Sequence, residues 1–149
     1  MEVVCLRYFN VYGVNQRYDA YGNVIPIFAH RMLNGMDVEI FGDGEQTRDF
    51  VNAKDIAQAN YRASITAGVS GVFNIASGSA ISINRLVALM GNMAGLSPKV
   101  VHGPPRQGDV RDSLASISAA RDAFGYEPRV GLEEGLGEFF SWAKEIRVH

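Results

Sequence analysis

The chain has 149 residues, 47% of them hydrophobic and 20% charged, enough for one domain whose core needs neither disulfides nor metal. A formal net charge of -2 with both signs interspersed leaves no basic stripe for a nucleic-acid backbone. A lone cysteine forbids an internal disulfide, no apolar run approaches the roughly 18 residues of a membrane span, and with no signal peptide the expected compartment is the cytoplasm.

Residues 2–9 contain Val3-Val4-Cys5-Leu6, an apolar run that is continuous rather than alternating. It predicts a strand covered on both faces in a parallel sheet, with Cys5 as a buried, inert thiol. Residues 10–13 end this strand and 14–23 read as a polar loop. From Val24, the residues Ile25, Phe28, Met32, Leu33 and Met36 recur at helical spacing, Pro26 sits in the first turn and Gly35 closes the helix. His30 has no second histidine nearby and reads as solvated or capping, not as a metal ligand. Residues 37–41 alternate and predict a strand that stops at the turn Gly42-Asp43-Gly44.

Arg48 follows that turn. Its planar five-donor guanidinium suits bidentate binding of carboxylate or phosphate, and on local sequence alone a pairing with Asp49 or Asp43 competes with a ligand contact. Phe50-Val51 is a brief extended piece, and a helix over 55–66 carries Ala57, Ala59 and Ala63, small enough for close packing on a sheet. Residues 72–75 predict a second apolar strand, and Ser82 caps a helix over 83–93 whose methionines belong to the core. After an extended run at 99–102, the prolines and glycines of Gly103-Pro104-Pro105-Arg106-Gln107-Gly108-Asp109 make a rigid loop that holds Arg106 and Asp109. A helix over 118–124 ends at Gly125, Pro128 breaks the chain, and 132–146 is a terminal amphipathic helix anchored by Trp142. Repeats and linkers are not evident, so 1–149 is expected to be a single domain.

The sequence has no arguable Ser-His-Asp order, no G-x-x-x-x-G-K-[ST] loop and no G-x-G-x-x-G turn; Gly42-Asp43-Gly44 lacks both the third glycine and a following helix. What remains is Asn10, Arg48, Arg106 and Asp109, placed at strand ends or on rigid loops, where open α/β sheets bind ligands. Two arginines and an amide among apolar neighbours suit a small diphosphate-bearing ligand better than a polyanion.

Several runs occur together in one order: LRYFNVYG at 6–13, NVIPIF at 23–28, IFGDGEQTRDFVNAKDIAQA at 40–59, GVFNIASG at 71–78, PPRQGDVRDS at 104–113 and FGYEP at 124–128. With these the chain resembles the C-terminal, substrate-binding half of the extended short-chain dehydrogenase/reductase family, the NAD-dependent nucleotide-sugar epimerases and dehydratases. The resemblance implies an α/β fold of short parallel strands with packed helices and a small substrate-binding subdomain. It places diphosphate contacts on Asn10, Arg48 and Arg106 and a nucleoside contact on Asp109. It further puts Phe41 against the base, Asn23 and Val24 over the ligand, and Phe9 near the nicotinamide. Ala53, Ser116 and Ala119 depart from the residues usual in the family, and Ser116 or Ser118 is expected to cap the helix that follows.

In that family NAD takes and returns a hydride while a tyrosine, its pKa lowered by a lysine, acts as base. The glycine-rich NAD loop and the Tyr-x-x-x-Lys pair belong to the N-terminal Rossmann half, and neither pattern occurs in these residues. The chain is therefore expected to clamp a nucleotide-sugar, with a UDP or dTDP moiety, without catalysing alone or binding NAD alone. Alternative readings are a stand-alone binding or assembly module, and a remnant that self-associates through exposed sheet edges. Either way the two apolar strands call for a homo-oligomer or a Rossmann partner chain.

Overall fold

The structure is a computed structural model and describes residues 2–18 and 23–146. The part of the expected 14–23 loop at residues 19–22 lies outside them. β1 (Val4–Tyr8) pairs in parallel with β5 (Gly71–Ile75), Val4 opposite Gly71 and Tyr8 opposite Ile75. The helices α2 (Ala53–Ile65) and α4 (Ser118–Phe124) pack on this pair and enclose a core that includes Phe73, Ile75, Ala59, Phe124 and Tyr126. The small residues of α2 allow this approach, since Ala59 is fully buried.

A second core lies among α1 (Val24–Leu33), α3 (Ile83–Ala94) and α5 (Leu132–Glu145), and takes in Phe28, Leu86, Met90, Leu136 and Phe139. Next to it β3 (Val38–Phe41) pairs in parallel with β7 (Val100–Gly103). Val38 and Ile40 are buried while Glu39 and Phe41 face outward, as the period of two requires. Between the cores runs a third sheet in which β4 (Thr47–Asn52) is central, parallel to β2 (Asn10–Tyr12) and antiparallel to β6 (Ala80–Ser82). All three sheets are small, and the α/β class with parallel strands and packed helices is as the sequence implies.

Local stop signals operate as read. Ser82 caps α3 as expected, while Asn23 and Asn52, not read as caps from sequence, accept backbone N–H bonds at the starts of α1 and α2, so that α2 begins at Ala53 and not at 55. Gly125, in the left-handed region at φ +67°, closes α4 with the bonds Gly125 N to Arg121 O and Tyr126 N to Ala120 O. Three expectations are corrected. Residues 10–12 do not merely end the first strand but form β2, because Asn10 opposite Phe50 and Tyr12 opposite Asn52 complete a ladder that local sequence does not reveal. Neither Ser116 nor Ser118 caps α4; the cap is Ile117, and the two hydroxyls bond each other at 3.0 Å. Cys5 is exposed, because β1 has β5 as its one partner among the described residues and only its Val4–Leu6 side packs on a core. No helix among the described residues is long and apolar enough to cross a membrane.

Two buried carboxylates hold the layers together. Asp49 accepts from Ser77 N at 2.8 Å, Ser77 Oγ at 2.6 Å, Gly78 N at 3.1 Å and Ala115 N at 3.4 Å. It thereby ties β4 to the loop after β5 and to the segment before α4. Asp55, in the first turn of α2, accepts from Arg129 N and Val130 N and fixes the approach to α5. Tyr12 closes the same region: its hydroxyl lies within 3.5 Å of the Gly131 and Leu132 carbonyl oxygens, and a Cβ on Gly135 would fall 2.2 Å from it. That contact explains the glycine in the first turn of α5, where a side chain would collide with Tyr12.

Asp49→Asn is expected to lower stability by about 2–4 kcal/mol in urea unfolding, since the amide nitrogen would face donors with nothing to accept. Burial pushes the Tyr12 phenol up to about 12 and raises that of Tyr126 as well, against a bond from Asn52 that acts the other way on Tyr12. A phenol with a raised folded pKa contributes stability that is complete below its unfolded pKa near 10 and is lost as pH climbs through the folded value. The protein should therefore lose stability between about pH 10 and 12, and Tyr12→Phe should flatten part of that decline in urea titrations at stepped pH.

Candidate functional site

Strand alternation decides what Arg48 can reach. Neighbouring side chains on a strand point to opposite faces, so Asp49 turns into the interior while Arg48 turns toward a cavity of about 330 Å³. The pairing of Arg48 with Asp49 or Asp43 considered from sequence does not occur. Arg48 instead forms an ion pair with Asp109 and donates from Nη1 to the Thr47 carbonyl at 2.6 Å. Arg48 is also no turn residue; it lies in β4 opposite Ile81.

The loop carrying Arg106 and Asp109 is fastened to β4 at its far end. Thr47 N donates to Arg111 O at 2.9 Å, Ser113 N to Thr47 O at 3.2 Å, and Thr47 Oγ1 to Asp112 at 3.0 Å. Arg111 bonds Asp43 at 2.7 Å, and its guanidinium holds that exposed carboxyl below the usual range. Within the loop Asp109 N donates to Arg106 O at 3.2 Å, closing a turn whose third residue, Gly108, has φ +81°. That is the position at which a type II turn demands glycine. The turn brings Arg106 and Asp109 to one side of the cavity, and Arg106 lies over the Phe41 ring at 5.2 Å from its centroid, a cation–π contact.

Arg48, Arg106, Asp109, Phe41 and Val24 all line this cavity. Asn10, Asn23 and Phe9 do not. Asn23 caps α1 and donates to the Val11 carbonyl at 3.0 Å. Phe9 packs against the core of β1 and β5. Asn10 donates to the Asp49 carbonyl at 2.9 Å, and by register it sits opposite Phe50, which shares a strand face with Arg48. Sequence reasoning missed Gln46, Arg31 and Glu39, which also line the cavity. Gln46 is buried and donates to the Phe41 carbonyl at 2.8 Å, fixing the end of β3 against the start of β4. Glu39 could have been found from the period of two, being two residues before Phe41; Arg31 meets it at 3.8 Å. The walls also carry Ile27, Phe28 and Ile83, so the site sets three arginines and two carboxylates, Asp109 and Glu39, around a largely apolar slot.

A dinucleotide needs backbone N–H groups free at a helix N-terminus. Here the starts of α1, α2 and α3 are taken up by Asn23, Asn52 and Ser82, and the first turn of α5 carries Glu133 and Glu134, which repel an anion. The described residues contain no G-x-G-x-x-G turn leading into a helix. They contain no cluster of His, Cys, Asp or Glu that could hold a metal ion.

The fold is α/β, and Arg48, Arg106 and Asp109 share one cavity whose walls are largely apolar. Residues 1–76 match the model of the NAD dependent epimerase/dehydratase family, and the chain belongs to that family. It is 35% identical to a putative UDP-glucose 4-epimerase of Methanocaldococcus jannaschii, over 97% of this chain and 46% of that protein. To the UDP-glucose 4-epimerase of Mycolicibacterium smegmatis it is 37% identical, over 88% of this chain and 43% of that one. Among solved structures, a UDP-glucose 4-epimerase from Thermotoga maritima with UDP-glucose superposes with a TM-score of 0.89 at 42% identity, covering 97% of this chain and 46% of the other. A UDP-N-acetylglucosamine 4-epimerase from Methanobrevibacter ruminantium in complex with UDP-N-acetylmuramic acid gives 0.93 at 38%, covering 98% and 47%. The chain thus spans about half the length of the relatives it matches.

Proposed function

We propose that residues 1–149 act as one nucleotide-sugar-binding unit of an NAD-dependent epimerase or dehydratase. The observation that carries this reading is the meeting of Arg48, Arg106 and Asp109 around a single cavity beside Phe41. Arg48 and Arg106 take the diphosphate, Asp109 the nucleoside, Phe41 forms a wall for the base and Val24 covers the ligand. Asn10, next to Phe50 on the neighbouring strand, meets the ligand where it runs out of the cavity along β4 toward the sugar. Asn23 acts by capping α1 under Val24. The printed names and complexes of the similar proteins, UDP-sugar epimerases among them, support a UDP-sugar as first choice.

Proton and hydride transfer require a Tyr-x-x-x-Lys pair and a dinucleotide loop, neither of which these residues supply. We therefore assign this chain the binding step, and Phe9 a place near the nicotinamide only when a dinucleotide domain is joined to β1. The edge of β1 that has no strand partner among the described residues, with the exposed Val3, Tyr8 and Val72 beside it, favours such a join, or association with a second copy.

Titration calorimetry with UDP-glucose checks the clamp. Arg48→Ala should weaken binding roughly 10- to 100-fold, the worth of a hydrogen bond to a charged group. Lys54→Ala, which removes an exposed ion pair with Glu138 away from the cavity, should leave it unchanged. Absence of binding to the unaltered chain would refute the reading. Light scattering of the isolated chain should give a dimer or larger species, shifted toward monomer by Val72→Lys on the open sheet face; a clean monomer throughout would refute the association.

A further inference from the structure

Asp109 stands in an unexpected relation to Arg48. Its carboxylate occupies Arg48 Nη2, while Nη1 is spent on the Thr47 carbonyl, and the Arg48 side chain is only 14% exposed. Arg106 by contrast has no anionic partner among the described residues and lies over Phe41. A negative group entering the cavity thus finds Arg106 open, Arg48 already neutralised by Asp109, and Arg31 facing Glu39 at 3.8 Å.

We propose, building on the binding role above, that Asp109 is an internal counter-ion that shields Arg48 from simple anions and makes the site selective for diphosphates attached to a hydroxyl-bearing nucleoside. A phosphate that displaces Asp109 from Arg48 leaves two like charges side by side, which disfavours binding. If the ligand carries ribose hydroxyls next to the diphosphate, these donate to the released carboxylate and remove the penalty. A bare diphosphate offers no such donor. The turn permits the exchange: Asp109 follows Gly108, whose φ is +81° and whose Cβ position is open space, while Pro104 and Pro105 hold the other end of the loop. Arg106 can therefore stay over Phe41 as Asp109 swings. Asp109 thereby determines specificity through charge placed against the wrong ligand, in addition to the contact it makes with the right one.

The test compares inorganic pyrophosphate with UDP on the full chain by calorimetry, for the unaltered protein, Asp109→Asn and Asp109→Ser. The unaltered chain should prefer UDP by at least about tenfold, and both variants should bind pyrophosphate about tenfold more tightly while gaining nothing for UDP, so that the preference shrinks. A readout without ligand accompanies it: phenylglyoxal should modify Arg48, located by peptide mass spectrometry, faster in both variants than in the unaltered chain, with Arg106 modified at the same rate in all three. Circular dichroism melts confirm that the variants fold. Equal pyrophosphate affinity across the three proteins, or equal Arg48 modification rates, overturns the counter-ion role while UDP binding leaves the proposed function standing. Failure of UDP to bind the unaltered chain overturns both.

Discussion

A carboxylate in a dry interior must find donors, and Asp49 finds them on two segments remote from it in sequence. Its four bonds to Ser77, Gly78 and Ala115 join the central strand β4 to the loop after β5 and to the chain leading into α4. Leaving such a group unsatisfied would be strongly destabilising, so β4 has essentially one allowed position relative to the β1–β5 layer. The residues either side of Asp49 inherit that position. Phe50 enters the helical core, and Arg48 is aimed at the cavity.

The site follows from this constraint in two further steps. Thr47 accepts the returning chain at 111–113, which sets where the Arg106–Asp109 turn lies. Gln46 binds the Phe41 carbonyl and sets where β3 ends. Four consecutive residues of β4 and its approach thus fix, in order, the aromatic wall, the basic loop, the clamp and the core anchor. The short spacing between structural and ligand-facing roles is possible because a strand presents adjacent side chains to opposite environments.

Much of the local structure is legible from residue type. Ser82 starts a helix, Gly35 and Gly125 stop two others, and the prolines and glycines of 103–108 mark the loop that holds Asp109. The apolar runs at β1 and β5 read as parallel strands and are such. Failures arise where an element exists only through a distant partner. β2 has three residues and β6 three, too few for any period, and both are strands because β4 lies between them. Cys5 looked interior because its neighbours are apolar, yet burial depends on what covers the other face of β1, and local sequence says nothing of that.

The sequence by itself determined the helices, the parallel strands, the two arginines on stiff or strand-end positions and, through its ordered runs, the family. These depend on local propensity and spacing, which a linear chain displays directly. Only the tertiary structure decided that Arg48 meets Asp109 instead of Asp49, that Arg106 lies over Phe41, and that Gln46, Arg31 and Glu39 join the cavity while Asn10, Asn23 and Phe9 stay outside it. Arg48 and Asp109 are 61 residues apart, and no local rule pairs them. Their meeting rests on β4 being held by a buried carboxylate and on a turn being fastened back to the same strand.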